Sequence, residues 1–288
     1  MRIVLLTVAA MLAFSTPVAA QCWAPAATRS PGSTTRDALH DVRVRSFRLL
    51  AGAALSAQDQ EQLEHSIAAR SYEHSQVSQE IRERVRMAYQ DHGYFKATVA
   101  DPEVHVVGQD DRHQVVDVAV RVDPGRIYRL KEIRLTGAKA FSAEELRPAL
   151  LLRPGDVFDM GKVRASLEQM LRLYRSKGYL NFVPVPDPRV DEDAGLISLQ
   201  IDIDEGPVFR AGALVVQGEE TAPGAKDKLR ETWKRYQGAP YDGEHLLARF
   251  LQDLGACPGL RPEEIFSFTL DERAGVVNVG ITLAQRPQ

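Results

Sequence analysis

Cysteine is nearly missing: Cys22 and Cys257 are the only two in 288 residues. A disulfide framework is therefore excluded, and an exported chain could close at most one intramolecular bridge, Cys22 to Cys257. An unpaired, inert Cys257 is the alternative. Catalytic signatures are missing as well. No Gly-x-Ser-x-Gly elbow, phosphate-binding loop, Gly-x-Gly-x-x-Gly, His-Glu-x-x-His or Cys-x-x-Cys occurs. The seven histidines are scattered without metal-ligand spacing. Asp191-Glu192-Asp193-Ala194-Gly195 places carboxylates at alternate positions but lacks the spaced glutamate of a calcium loop. No catalytic residue, metal, cofactor or small-molecule substrate is expected. Nor is charge of one sign present in excess: 36 basic against 39 acidic side chains, spread along the chain, leave no footprint for nucleic acid.

Long apolar runs are missing after the first residues. Ile3 to Phe14 is uninterrupted and apolar, Met1-Arg2 precedes it, and small residues Val18 and Ala20 follow at the positions a signal peptidase reads. Its twelve residues would reach only ~18 Å as a helix, short of a ~30 Å hydrocarbon core. Residues 1–20 are thus expected to be a cleaved signal peptide, followed by a flexible tail over 21–40. Gln21, which is not a small residue, argues against lipid modification of Cys22.

What is present is repetition. Tyr89, Gly93 and Tyr94 in "AYQDHGYFKA" answer to Tyr174, Gly178 and Tyr179 in "LYRSKGYLNF", each 85 residues on. Each set closes an apolar helical stripe, Val77-Ile81-Val85-Tyr89 or Val163-Leu167-Leu171-Tyr174. The glycines stand where a helix ends on a left-handed residue, and the tyrosines after them are read as strand starts. Upstream, Ser56 with Asp59 and Ser142 with Glu145 predict two helix N-termini of one design. "DPGRIYRLKEIRLTG" (Asp123 to Gly137) returns as "DEGPVFRAGALVVQG" (Asp204 to Gly218), 81 residues on, so one unit's last strand runs into the next unit's first. The spacing predicts an α+β fold of tandem β-α-α-β-β modules, each a three-stranded sheet with two helices on one face. The expected boundaries are 41–126, 127–206 and a degenerate third module at 207–288.

The unit order, the run "GAKAFSAEELRPALLLRPGDVFDMGKV…LEQMLRLYRSKGY" and the exit "IDIDEG" resemble POTRA (polypeptide-transport-associated) repeats, the periplasmic modules of outer-membrane assembly factors of the BamA and TamA type. The resemblance covers about Val42 to Ala284 and is clearest in the second copy. It implies a periplasmic, outer-membrane-associated protein that docks unfolded or partner polypeptides, partly by adding their strand to a sheet edge. The implied partners are outer-membrane β-barrel proteins or components of their assembly machinery. A membrane barrel needs at least about eight strands of roughly ten residues, and the sequence beyond the third unit supplies none, so pore activity is not expected. Two further readings stand beside client docking. One is a soluble subunit of a split barrel transporter, and the other is a cell-envelope scaffold.

The sequence also ranks the edges. Pro184, Pro186 and Pro188 fall on alternate residues, so they remove N–H donors from one side of one strand, as tolerated at a sheet edge. That edge should resist pairing. The matching strand of the first copy, Tyr94, Phe95, Lys96, Ala97, Thr98, Val99 and Ala100, has no proline before Pro102 and is the expected docking edge.

Overall fold

The computed structural model describes residues 41–50, 54–109, 113–218, 223–256 and 262–283. The expected signal peptide and tail, and both Cys22 and Cys257, lie outside the described residues. The chain folds as three α+β modules in a row. The first runs β1 (Asp41–Leu49), α1 (Ala57–Ala68), β2 (Ser71–Glu73), α2 (Val77–Gln90), β3 (Thr98–Val99), β4 (Glu103–Gln109), β5 (His113–Val120) and β6 (Val122–Asp123). The second runs β7 (Arg129–Thr136), α3 (Ala143–Leu146), a 3-10 turn (Arg147–Ala149), α4 (Met160–Arg175), β8 (Val183–Asp191) and β9 (Leu196–Asp204). In the third, β10 (Arg210–Gly218), α5 (Ala225–Trp233), α6 (Glu244–Asp253) and α7 (Pro262–Ile265) lead into β11 (Phe266–Asp271) and β12 (Val276–Leu283).

In each main sheet the last long strand is central. β9 lies between β7, parallel to it, and β8, antiparallel; β12 lies likewise between β10 and β11. The first sheet repeats this with β5 between β1 and β4, but carries four strands, because β2 pairs antiparallel with β1. A three-stranded first sheet was expected. Three residues are too few to show a period-two pattern, and β2 forms because Tyr72 is drawn into the core, its hydroxyl donating to the Ile67 carbonyl at 2.8 Å.

Three separate apolar cores follow the three sheets. The α2 stripe Val77, Ile81, Val85 and Tyr89 is buried as its spacing predicts. On α4 the buried line is Val163, Ser166, Met170 and Tyr174, while Leu167 and Leu171 flank it half-buried. Ser166 is tolerated inside because its hydroxyl accepts from Leu151 N–H at 2.9 Å and donates to the Lys162 carbonyl at 2.7 Å. The helix starts differ in detail. Glu145 reaches back to the Ser142 N–H (2.8 Å), closing a capping box. Asp59, one methylene shorter, instead accepts the Ser56 hydroxyl at 2.6 Å. Pro148, which brings no N–H of its own, sits where α3 gives way to the 3-10 turn.

Candidate docking edge and module joints

The glycine-tyrosine junctions sit between modules. After α2, Tyr94 N–H bonds back to the Tyr89 carbonyl at 3.1 Å, and Tyr179 N–H bonds to Tyr174 at 3.2 Å after α4. The Gly93 carbonyl then accepts from Tyr128 N–H at 3.0 Å, and the Gly178 carbonyl from Phe209 N–H at 2.8 Å. Each helix stop is thereby fastened to the chain entering the next module. Glycine is required twice over. Its φ is +88° at Gly93 and +89° at Gly178, and a Cβ there would stand 2.3 Å from Val157 Cγ1 or 2.5 Å from the Phe209 carbonyl oxygen. Tyr89 and Tyr174 are fully buried, and Tyr94 and Tyr179 lean edge-on against them at 6.0 and 5.5 Å between ring centroids.

The residue after each tyrosine crosses the boundary. Phe95 packs on the second core, edge-on to Phe158 at 5.4 Å, and Leu180 packs on the third. Sequence reasoning assigned Phe95 to a strand. The available signal was the repetition itself, since both copies place an apolar residue after Gly-Tyr. Charge reinforces the first joint. Arg164 on α4 donates to both oxygens of Asp91, just past α2, at 2.6 and 2.7 Å. Burial pushes the Asp91 carboxyl up, against the pull of Arg164. Glu192, in the β8–β9 turn, accepts from Lys96 and, at 2.5 Å, from the Tyr128 hydroxyl. Its backbone carbonyl takes Arg126 at 2.6 Å. The Asp191–Gly195 loop is the strand-strand turn its composition indicated, with Asp191 accepting from Ala194 N–H at 3.0 Å.

The expected docking segment is not an open strand. Tyr94 to Ala97 form a turn, with Ala97 N–H bonded to the Tyr94 carbonyl at 3.0 Å and Ala97 buried. Thr98 and Val99 are paired with Asp123 and Val122 of β6, and Ala100 N–H bonds to Arg121 at 3.0 Å. The backbone of these residues is committed because Phe95 leaves the module and pulls the chain toward the joint. The outer strand at this place in the first module is β4.

Among the described residues, six strands lie at the outer positions of the three main sheets, and five carry a device that hinders pairing. β2 has only three residues. β4 breaks register between Val106 and Gly108. β7 and β10 are each irregular, and a loop covers part of both: Leu130 N–H bonds Asp156 at 2.9 Å and Ala211 N–H bonds Ala239 at 2.9 Å. β8 is the expected proline edge. Pro184, Pro186 and Pro188 sit opposite Ile203, Ile201 and Leu199, so their rings share the core-facing side of the sheet, and the alternation of an unbroken antiparallel ladder turns their hydrogen-less nitrogens away from β9, toward the outer edge. Among the described residues β11 has none of these features. Its register with β12 is unbroken over Phe266 to Asp271, and Phe268 and Leu270, opposite buried Val279 and Val277, remain 48% and 44% exposed. The β11 edge thus combines unpaired backbone with an apolar shoulder that Tyr241 continues, its ring 6.4 Å from Phe268.

Among the described residues no group of three or more His, Cys, Asp or Glu is placed to hold a metal, and no helix is long and apolar enough to cross a membrane.

Residues 128–206 match the family model described as "POTRA: Surface antigen variable number repeat". The outer membrane protein assembly factor BamA of Neisseria meningitidis is 23% identical over 143 residues, which is 46% of this chain and 18% of that protein. BamA of Buchnera aphidicola is 21% identical over 209 residues, 69% of this chain and 33% of the relative. The chain therefore matches a third or less of the length of these curated relatives. Among solved structures, POTRA3-5 of Haemophilus influenzae BamA superimposes with a TM-score of 0.56 at 18% identity, covering 85% of this chain and 97% of that one. Family-model match, repeat order and superposition together make this a POTRA-repeat fold, similar to the POTRA region of BamA-type outer-membrane assembly factors.

Proposed function

We propose that this chain is a non-enzymatic, periplasmic POTRA-repeat docking protein in outer-membrane protein assembly or translocation, and that it receives an extended polypeptide by strand addition along β11. The observation that carries this reading is the contrast among outer strands: among the described residues, β11 alone of the six has neither bulge, proline, covering loop nor extreme brevity. An added strand would satisfy the outward N–H and C=O groups of β11 and cover Phe268 and Leu270. The segment best matched to that shoulder alternates apolar and polar residues, the pattern of a membrane β-barrel strand. The relatives' description as outer membrane protein assembly factors supports the same assignment.

The test places a photo-cross-linking residue in turn at Thr269, Val185 and Thr98 and adds a urea-unfolded outer-membrane barrel protein on dilution. Labelling strongest at Thr269 is expected, since β8 and β3 offer blocked or occupied backbone. Labelling that is equal at the three positions, or strongest at Val185, would overturn the assignment. Capture of a folded barrel in preference to the unfolded chain would favour a subunit of a split transporter instead.

A further inference from the structure

The two module joints share one backbone design but differ in what surrounds it. At the first, charged and polar side chains converge: Arg164 on Asp91, Lys96 and the Tyr128 hydroxyl on the Glu192 carboxylate, and Arg126 on the Glu192 backbone carbonyl. In the second joint, the repeat interval places Ser176 at the position of Asp91 and Leu247 at that of Arg164. Asn181 replaces Lys96, Phe209 replaces Tyr128 and Pro207 replaces Arg126. The counterpart of Glu192 is Glu272, which is exposed and forms no ion pair with a described residue. Phe209 and Leu247 are fully buried in the third core, with Leu180 packed against it.

We infer that the first joint is an ionic latch that sets the angle between the first and second modules, and that the second joint lacks such a latch. The physical basis is the range of each force. Phe95 holds its neighbour by dispersion and apolar burial, which fix a contact point but permit rotation about it. The Glu192 and Asp91 clusters lie to either side of that point in sequence and tie it to two different elements, the β8–β9 turn and α4. Lys96 and Glu192 are each about half exposed, so one such pair alone would contribute little. Three donors on one residue and a two-oxygen Arg164–Asp91 contact together remove the rotation. Mobile ions weaken that restraint, because at ~1 M salt the screening length falls to roughly 3 Å. Apolar packing at the second joint has no such dependence. A chain of modules so built has one joint whose bending is under ionic control, and this holds whether or not β11 receives a client.

Distance measurements between paired spin labels test it in the full chain, with Cys22→Ser and Cys257→Ser as background. Labels through Glu64→Cys and Glu168→Cys report the first joint; Glu168→Cys with Glu231→Cys reports the second. At low salt the first pair should give a single narrow distance. At ~1 M salt the first distribution should lose that narrow peak, and the second should keep the width it has at low salt. The double variant Glu192→Ala with Arg164→Ala should show the same loss at low salt. A first distance that stays narrow at ~1 M salt, or a second that broadens as much as the first, would overturn the inference.

Discussion

The Phe209 amide donates to the Gly178 carbonyl across 2.8 Å, tying the end of α4 to the chain that enters β10. The same bond, Tyr128 to Gly93 at 3.0 Å, ties α2 to the chain that enters β7. A helix stop thus serves as a module coupling, and the demand for glycine comes from the neighbouring module as much as from the helix.

Substituting either glycine should separate the two demands. Gly178→Ala would press its Cβ on the Phe209 carbonyl oxygen, a backbone atom with nowhere to go. Left-handed strain of roughly 1–2 kcal/mol and a forced shift of about 1–3 kcal/mol then both apply. Gly93→Ala meets the Val157 side chain, which can rotate, so the smaller part of that range is expected. Because the modules need not unfold together, amide hydrogen exchange resolved by module is the appropriate measurement, and Gly178→Ala should loosen both the second and the third.

Phe95 contributes to a core in a module other than its own. Phe95→Ala should destabilise the second module by about 1–3 kcal/mol, less than for a fully buried ring because Phe95 is only partly covered. Faster exchange at Leu130, Phe158 and Ile197 is the expected outcome, with Val85 and Val118 in the first core nearly unchanged. Faster exchange confined to the first core would contradict the packing.

Glu205 joins the end of β9 to the start of α3. Burial pushes its carboxyl up, but Ala140 N–H at 2.8 Å, Lys139 N–H at 2.7 Å and the Tyr174 hydroxyl at 3.0 Å outweigh that and hold it below the usual carboxylate range. Burial, and then the bond to Glu205, raise the Tyr174 hydroxyl. A depressed carboxyl stabilises the fold fully above its unfolded value, near 4.5, and that stability is lost as pH falls through the lower folded value. Tyr174→Phe should cost about 1–2 kcal/mol at neutral pH. Glu205→Gln should flatten the acid limb of the second module's stability profile, read by denaturant melts from pH 7 down to about 2. An acid limb identical to that of the unaltered protein would remove Glu205 from the account.

The proline device of β8 can be copied onto β11. By the repeat, Phe268 corresponds to Pro188, whose nitrogen sits where no bond to the central strand is made. Phe268→Pro should therefore keep the β11–β12 ladder and abolish cross-linking at Thr269. Phe268→Ala removes the apolar ring but keeps the outward donor, so cross-linking should fall without vanishing. Circular dichroism close to that of the unaltered chain checks that the fold persists. Undiminished labelling of Phe268→Pro would exclude strand addition at this edge.

Much of the fold is legible in short stretches. Ser142 and Glu145 announce a capping box, Gly93 and Gly178 a left-handed helix stop, and Val77-Ile81-Val85-Tyr89 a buried stripe. β8 can be read as an edge from its prolines alone. Each of these rests on a preference exercised within a few residues. The open β11 edge was not legible in this way. "YFKATVA" has strand-like composition, yet its turn is imposed by Phe158 and Tyr128, which reach it from the second module.

By itself, the sequence determined the repeat, the order of helices and strands within each unit, and the residues that end them, because those depend on backbone preferences and periodicity that neighbours in the chain express together. Only the tertiary structure decided which edge stays open, where Phe95 and Leu180 are buried, and how Lys96 meets Glu192 from 96 residues away. Such contacts form between surfaces brought together by packing, and no local pattern encodes which partner a solvent-facing charge or an outlying aromatic ring will find.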